Sequence, residues 1–342
     1  MAYTDFIAAI DLGTSHMVGM VGTKNATGAL SIIAYEVENS GTCIRRGCVY
    51  NVKETASKIR RLILKLENKL GGAKIGQVYV GLGGQSLRSI EHTVCKVLGT
   101  EGVVTEEIID SLYQECKDYR PDMLTVLDVV SPSYFLDDKP ESNPVGVPCS
   151  RIEARYKLIV GRPSLKLNIV NSISEQAKIE IAGILVSPLA LGDVVLSDNE
   201  KDLGCALIGF GAGVTTISVY KGGKLASLSV VPFGGNLITK DITNLRVVES
   251  EAERLKITYG SAKADRDNDM TIQVSLADGM GLREIKLAEL NGVIEARMDE
   301  ILENVYARLE ATGLMSVLGA GIVITGGGAA LKNLPAGLRE RF

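Results

Sequence analysis

The chain has 342 residues, enough for about two domains at ~150 residues each, and its 46% hydrophobic and 23% charged residues are proportions of a globular protein. Its net charge of −4, from 37 basic and 41 acidic residues, argues against a nucleic-acid-binding protein, because such proteins usually carry a basic excess. Six cysteines without a Cys-x-x-Cys pair, and only two histidines, argue against a zinc site and are typical of reduced cytosolic thiols.

No targeting or membrane-spanning segment is predicted. Residues 1–5 are mostly polar and include an acidic residue, unlike a secretory signal. No uncharged apolar run approaches the ~18–20 residues that span a bilayer. We therefore expect a cytoplasmic protein that meets a membrane only through a partner or through a segment outside this sequence.

The first predicted elements are a strand, a glycine turn and a second strand. The apolar residues 7–10 lead into Asp11, Gly13, Thr14 and Ser15, and residues 17–21 continue as a strand. Residues 53–70 are predicted to be helical, because apolar residues recur there at i, i+3 and i+4. A short buried strand, residues 77–81, follows the helix.

Residues 85–160 are predicted to form an inserted α/β unit. Thr105 opens a helix as a capping residue, a loop rich in proline and aspartate spans residues 137–148, and residues 151–160 alternate as a strand does. The strand–turn–strand pattern then returns: residues 205–208 are apolar, residues 209–216 are glycine-rich, and residues 217–220 form the outgoing strand before a hairpin turn at 221–224. One motif thus occurs twice, which indicates an internal repeat at domain scale.

A third glycine cluster follows the mostly apolar residues 322–325 and is predicted to be a turn between a buried strand and a helix.

The glycine turns are suited to binding a nucleotide. Glycines let backbone N–H groups approach an anion closely. Asp11, just ahead of its turn, suits a hydrated Mg²⁺, which takes few protein carboxylates. Each turn alone is more often an ordinary hairpin or connector, but three in this order would enclose a nucleotide. No Rossmann or P-loop pattern is present.

The three turns resemble the two phosphate loops and the adenosine loop of the actin, heat-shock-70 and sugar-kinase superfamily. The resemblance implies a two-domain α/β actin-like fold with ATP and Mg²⁺ in an interdomain cleft. Asp11 is the expected metal residue. The expected nucleotide-binding residues are Gly13, Thr14, Ser15, His16, Gly211, Ala212, Gly213, Val214, Thr215, Gly235, Asn236, Glu253, Lys256, Gly326, Gly327 and Gly328.

Within this superfamily, residues 143–146, 232–242 and 251–260 resemble the bacterial cell-division family FtsA. That resemblance implies a first half of residues 1–83 and 162–202, an FtsA-type inserted subdomain of residues 84–161, and a second half of residues 203–342. The second half includes a small subdomain of roughly residues 241–312. It also implies a scaffold that forms protofilaments, joins other division proteins and holds the C-terminal tail of FtsZ at the cytoplasmic face of the inner membrane. Arg297 is the expected FtsZ contact.

The sequence departs from the family pattern in its phosphate loops and at its end. Gly209 occupies the position of the usual second-loop aspartate, Val214 that of the loop threonine, and His16 that of a lysine. Loss of a carboxylate should impair hydrolysis more than binding, because binding rests on backbone N–H groups. A weak ATPase stays open, and no catalytic residue is assigned. The sequence also ends one helix after Gly328, before the family's amphipathic membrane-targeting helix.

Several alternatives stay open. The same fold serves sugar-kinase-like phosphotransferases and pilus-assembly adaptors, since fold does not fix function. A kinase would need a cleft base, usually aspartate, and none stands at the second loop. Arg254 and Lys256, beside Glu253, could lie on a solvated helix face with i,i+3 charge pairs instead of at a nucleotide. A lone histidine such as His16 is more often structural than functional.

Overall fold

The computed structural model describes residues 6–25, 27–99, 102–275 and 281–342. The strands are β1 (Phe6–Leu12), β2 (His16–Lys24), β3 (Leu30–Asn39), β4 (Ile44–Arg45), β5 (Cys48–Val49), β6 (Gln77–Leu82), β7 (Arg88–Val97), β8 (Thr125–Leu136), β9 (Lys139–Glu141), β10 (Arg151–Gly161), β11 (Glu180–Val186), β12 (Cys205–Phe210), β13 (Thr215–Lys221), β14 (Lys224–Val231), β15 (Thr271–Ser275), β16 (Leu282–Lys286) and β17 (Ile322–Thr325). The α-helices are α1 (Val52–Lys69), α2 (Glu106–Asp118), α3 (Ser164–Val170), α4 (Ser187–Val195), α5 (Asp198–Leu203), α6 (Gly235–Ile242), α7 (Glu249–Tyr259), α8 (Leu287–Glu310) and α9 (Leu334–Arg341). None of the helices in this part of the chain has the length and apolarity needed to cross a bilayer.

Two of the sheets share one topology. The first has the strand order β11–β6–β1–β2–β3 and the third has the order β14–β13–β12–β17. In each, an antiparallel three-stranded meander is followed by a strand parallel to the meander's first strand. The internal repeat predicted from the glycine turns is therefore confirmed.

The second sheet lies between these repeats in sequence. Its order is β7–β10–β8–β9, with every pair antiparallel, and α2 packs on one of its faces. The side chain of Thr105 accepts a hydrogen bond from the Ile108 N–H, which confirms the predicted capped start of α2. A separate buried cluster around Leu112, Ile152 and Leu158 forms the core of this sheet. The boundaries 84–161 for the inserted subdomain stay a prediction.

Helix α1 covers one face of the first sheet. Asn51 caps its N-terminus by accepting from the Glu54 N–H at 3.1 Å, and Lys69 lies in its last turn, where it favours the helix dipole. Leu62 and Leu66 of this helix are fully buried and lie directly over Gly19 of β2. The predicted amphipathic helix is confirmed, and each such leucine contributes roughly 1.5–3 kcal/mol by burial.

The other face of the first sheet is apolar and open in the described part of the chain. Tyr79, Ala9, Met20 and Tyr35 are direct cross-strand neighbours from β6 to β3. The side chains of Tyr79, Met20 and Tyr35 are exposed, as is that of Leu185 on β11. Sheets with parallel pairs ordinarily have both faces covered, so this apolar surface is unusual.

The third sheet lies between two cores. Leu207 and Leu228 on one of its faces join the core of the first sheet, whereas Ile208 and Ile217 on the other join the core beneath α6 and α8. The α8 stripe predicted to be core is confirmed, since all of its members are buried: Ile294, Met298, Ile301, Leu302 and Val305. Helices α4 and α5 also contact β13 of the third sheet.

Candidate functional site

The two repeated hairpins end in equivalent four-residue turns. The last cross-strand pair is Leu12–Met17 in the first hairpin and Phe210–Thr215 in the second. Counting from these pairs, Gly209 occupies the position in β12 that Asp11 occupies in β1. Beta strands, not helices, follow both turns, as predicted.

The tips of the two turns are in contact. A Cβ placed on Gly213 would lie 2.4 Å from Thr14 Oγ1, so only glycine allows this approach. Thr14 Oγ1 also accepts a hydrogen bond from the Gly47 N–H at 2.8 Å. A phosphate chain could lie between the tips only if they separated. The structure brings these turns together, although they are about 200 residues apart in the sequence.

The tip N–H groups are suited to an anion. The N–H groups of Thr14, Ser15, Ala212 and Gly213 donate to no other group in the described residues, and their residues are partly or fully accessible to solvent. Orphan N–H groups gathered at a concave turn bind anions. His16 is exposed, with Nδ1 3.1 Å from Ser15 Oγ, and needs no buried partner.

Asp11 lies beside the first turn, in a crowded position. Its Oδ1 accepts from Ser187 Oγ at 3.4 Å, and a Cβ on Gly81 would lie 2.8 Å from the same oxygen. The side chain is still accessible to solvent from one side, but the surrounding protein atoms desolvate it and raise its pKa, while the hydrogen bonds from Ser187 and Leu12 oppose the rise. A carboxylate so placed fits Mg²⁺, which needs one or two carboxylates together with ligand phosphates.

The segment that enters α6 supports the second turn. The N–H groups of Gly235 and Asn236 donate to the carbonyls of Gly211 and Ala212 at 3.0 and 2.8 Å. A Cβ on Gly234 would lie 2.5 Å from the Gly211 carbonyl oxygen, so the two backbones are in direct contact. The predicted residues Gly235 and Asn236 are therefore neighbours of the second turn, with Asn236 exposed beside it.

Helix α7 contributes Lys256 and Glu253, whose side chains are hydrogen-bonded to each other. Lys256 Nζ donates to the Gly235 carbonyl at 3.1 Å, to Thr239 Oγ1 at 2.8 Å and to Glu253 at 2.7 Å. Thr239 also donates to Glu253. The lysine is largely buried and the glutamate is less so. The alternative that Lys256 lies on a purely solvated helix face is therefore wrong. Its hydrogen bond to the Gly235 carbonyl links α7 to the start of α6.

The third glycine turn rests on the second hairpin. Gly326 has φ +88°, and a Cβ there would lie 2.5 Å from the Phe210 carbonyl oxygen. A Cβ on Gly328 would lie 2.8 Å from Phe210 Cβ, whereas one on Gly327 would meet nothing within 4 Å. The strand β17 that precedes the turn is parallel to β12. The second hairpin is therefore in contact with both of the other predicted turns, the first through Thr14 and the third through Phe210.

Two predicted residues of the second turn point away from its tip. Thr215 Oγ1 is buried and donates to the Phe233 carbonyl at 2.9 Å. The Val214 side chain packs against the core of the first sheet. Both residues stabilise the turn, and their side chains face the protein rather than the gap beside the tips.

Ser40 was missed by sequence reasoning, although it holds the first turn. Its Oγ donates to the Gly13 carbonyl at 2.7 Å and its N–H to the Ser15 carbonyl at 2.9 Å, and the residue is fully buried. Gly81 and Ser187, which enclose Asp11, were missed as well. No local signal marks these residues, because each acts across a long sequence separation.

Arg297 is engaged within its own subdomain. Its guanidinium is hydrogen-bonded to Asp241 of α6 and to Glu300 of α8, and the bond to Asp241 is the main reason that its pKa is raised. A depression of about 670 Å³ is lined by Arg246 and Arg283 together with one acidic residue, Glu289. Arg297 and this depression share no residue with the glycine turns, and the FtsZ contact at Arg297 stays a prediction.

Known proteins resemble this chain in sequence and in fold. Residues 206–342 match the family model described as Cell division protein FtsA. The chain is 41% identical over 335 residues to the Cell division protein FtsA of Porphyromonas gingivalis, covering 97% of this chain and 70% of that protein. It is 33% identical over 330 residues to the protein of the same name in Neisseria meningitidis, covering 94% and 78%.

Two solved structures share the fold. One is the PilM–PilN type IV pilus biogenesis complex, with a TM-score of 0.65 at 15% identity over 98% of this chain and 85% of that one. The other is MreB5 of Spiroplasma citri bound to ADP, with a TM-score of 0.56 at 15% identity over 100% and 90%. The predicted actin-like fold is confirmed by these likenesses, which concern the fold alone.

Proposed function

Because this chain belongs to the FtsA family of cell division proteins, we propose that it is an ATP- and Mg²⁺-binding, actin-like scaffold of bacterial division. It assembles into protofilaments and, with other division proteins, holds FtsZ at the cytoplasmic face of the inner membrane. The observation that carries the nucleotide proposal is the convergence of three glycine turns, with orphan N–H groups at the tips of the first two. Mg²⁺, when bound, would neutralise phosphate charge beside Asp11.

The residues around the turns would have different roles in nucleotide binding. The tip N–H groups of Thr14, Ser15, Ala212 and Gly213 would hold phosphates, and the Gly326 turn with α7 would border the adenosine. Lys256 would act mainly by fixing the start of α6 against the second turn, since its three donors are already engaged. The site would bind a nucleotide without an assigned catalytic base.

We expect calorimetry to detect Mg-ATP binding, and Gly213→Val to weaken it about ten-fold or more, because the added side chain projects between the tips and would occupy the space that phosphates need once the tips separate. Gly292→Ala, at a helix position with nothing within 4 Å of the added Cβ, should bind as the wild type does. ADP formation measured with and without candidate sugars separates a scaffold from a kinase, because a kinase transfers the γ-phosphoryl group to the sugar and releases ADP. The absence of heat at saturating Mg-ATP, or sugar-dependent turnover, would contradict the proposal.

The small subdomain is the proposed docking place for the FtsZ tail. Arg246 and Arg283 line one depression there, and cations at a rim attract an acidic tail and raise its on-rate. Arg297 is a weaker choice for a test, because Arg297→Glu would place a carboxylate beside Asp241 and Glu300 and disturb the packing of α6 on α8.

We expect Arg246→Gln with Arg283→Gln to weaken binding of an FtsZ C-terminal tail peptide several-fold, with the loss concentrated in the association rate. Surface plasmon resonance at two salt concentrations measures this directly. Lys166→Gln, at an exposed position on α3, serves as a control that removes one surface charge elsewhere. Equal peptide affinities for all the variants would mean that this depression is not part of the FtsZ-tail binding site.

A further inference from the structure

A groove of about 290 Å³ lies between the second sheet and the β13–β14 hairpin. One wall is formed by β8 and β10 and presents Phe135, Arg155 and Lys157; the other presents Lys221 and Lys224 from the hairpin. We call this the junction groove. It lies away from the glycine turns and from the Arg246–Arg283 depression, and nothing described so far uses it.

Serines hold the two walls of the junction groove together. β14 is an edge strand of the third sheet, and an edge strand has backbone groups that need partners. Ser131 Oγ accepts from the Leu225 N–H at 3.0 Å, and Ser89 Oγ accepts from the Leu228 N–H at 2.8 Å. The groove is therefore a defined junction, and a ligand in it would touch both the second sheet and the second half.

The β10 wall is nearly neutral. Lys157 Nζ lies 2.7 Å from Glu91, and Arg155 Nε lies 2.7 Å from Glu153. The Arg155 guanidinium also stacks over the Phe135 ring at 4.2 Å, which orients it along the wall. This wall supplies positioned donors and an apolar ring with little net charge.

The hairpin wall carries the excess positive charge. Lys221 Nζ donates to the carbonyls of Leu203 and Val317 at 2.9 and 3.2 Å. Lys224 Nζ donates to Ser133 Oγ at 3.3 Å and to a backbone carbonyl of β8. These acceptors are neutral, and in the described ranges neither lysine pairs with a carboxylate. Each ammonium has three donors, so one donor on each is not engaged by these acceptors.

We propose that the junction groove binds an acidic peptide segment of a partner protein, one that carries at least two carboxylates. Lys221 and Lys224 each take one carboxylate, and Phe135 contacts an apolar part of the segment. A single small anion fits less well, because the ammonium groups of Lys221 and Lys224 are held by different acceptors and do not converge on one point. Complementary charge of this kind acts chiefly on specificity and association rate.

The probe is a fluorescein-labelled (Glu-Gly)₃ peptide, compared with its glutamine counterpart by fluorescence anisotropy on the wild-type chain. We expect the glutamate peptide to bind and the glutamine peptide to bind about ten-fold more weakly or not at all. Lys221→Gln with Lys224→Gln should weaken glutamate-peptide binding about ten-fold, and higher salt should weaken it in the wild type. Lys166→Gln should leave it unchanged.

Lys224 also contacts β8, so its loss could disturb the junction itself. Arg155→Gln tests the opposite wall without altering any hydrogen bond between the walls, and it should also weaken peptide binding. Arg246→Gln with Arg283→Gln should have no effect, which separates this site from the FtsZ-tail site. Equal binding of both peptides, unchanged binding in the double lysine variant, or full competition by equimolar inorganic pyrophosphate would overturn the proposal.

Discussion

Gly326→Ala is expected to lower the free energy of unfolding of the second half by about 2–4 kcal/mol and to abolish nucleotide binding. Gly326 has φ +88°, a conformation that costs an L-residue roughly 1 kcal/mol or more. The added Cβ would also lie 2.5 Å from the Phe210 carbonyl oxygen. That oxygen belongs to the backbone of a central strand, which cannot shift without disturbing the third sheet, and overpacking of this kind costs about 1–3 kcal/mol.

The neighbouring residue provides a matched control for this variant. Gly327→Ala adds the same methyl group one residue later, where nothing lies within 4 Å. Its unfolding free energy should stay within about 1 kcal/mol of the wild type. Urea denaturation followed by circular dichroism measures both variants, and calorimetry with Mg-ATP measures binding. If the two alanine variants are equally stable, the Gly326 turn does not pack on Phe210 as described.

Asp11→Asn is expected to weaken Mg-ATP binding about ten-fold, ~1.4 kcal/mol, while it stabilises the nucleotide-free protein at neutral pH. Desolvation raises the pKa of Asp11 in the folded state. The folded protein therefore binds a proton more tightly than the unfolded chain does, and stability falls as the pH rises from the ordinary carboxyl pKa through the raised value. Above that range the ionised carboxylate costs stability, which asparagine removes.

Thermal unfolding between pH 4 and pH 8, without nucleotide, tests the stability part of this prediction. The gain in Tm for Asp11→Asn should be present at pH 8 and should vanish as the pH falls toward the ordinary carboxyl pKa. Glu38→Gln is the control with the opposite sign, because the hydrogen bond from Lys65 lowers the pKa of Glu38, and its ionised form stabilises the fold at neutral pH. An Asp11→Asn protein that binds Mg-ATP normally would mean that this carboxylate has no part in metal binding.

The packing around Gly209 could not be predicted from the sequence. Its place in the repeat matches that of Asp11, and the family pattern has an aspartate there. In the fold, a Cβ on Gly209 would lie 2.6 Å from Thr216 Oγ1 and 3.3 Å from Leu191 Cδ2. An aspartate at this position would therefore require Thr216 to move, so glycine here is also a packing requirement. Thr216 imposes this requirement because it is paired with Gly209 across β12 and β13, and that pairing is known only from the structure.

Local chemistry made much of this fold predictable from the sequence. The α1 stripe and the 221–224 hairpin depend on residues close together in the chain, and Gly222 and Gly223 do adopt the positive φ that a two-residue turn requires. The repeated strand–turn–strand motif also predicted two equivalent sheets. Periodicity and turn residues act over a few positions, so a single sequence expresses them directly.

Only the tertiary structure decided how the candidate site is supported. It placed Ser40 under the first turn, Gly81 and Ser187 around Asp11, and Lys256 against the start of α6. These contacts join residues separated by about 20 to 180 positions, and each uses a residue type that is common in ordinary loops and strands. The sequence by itself determined the glycine turns and their order, because those depend on local backbone freedom. Which side chains surround the turns depends on how the sheets and helices pack, and packing is a property of the whole chain.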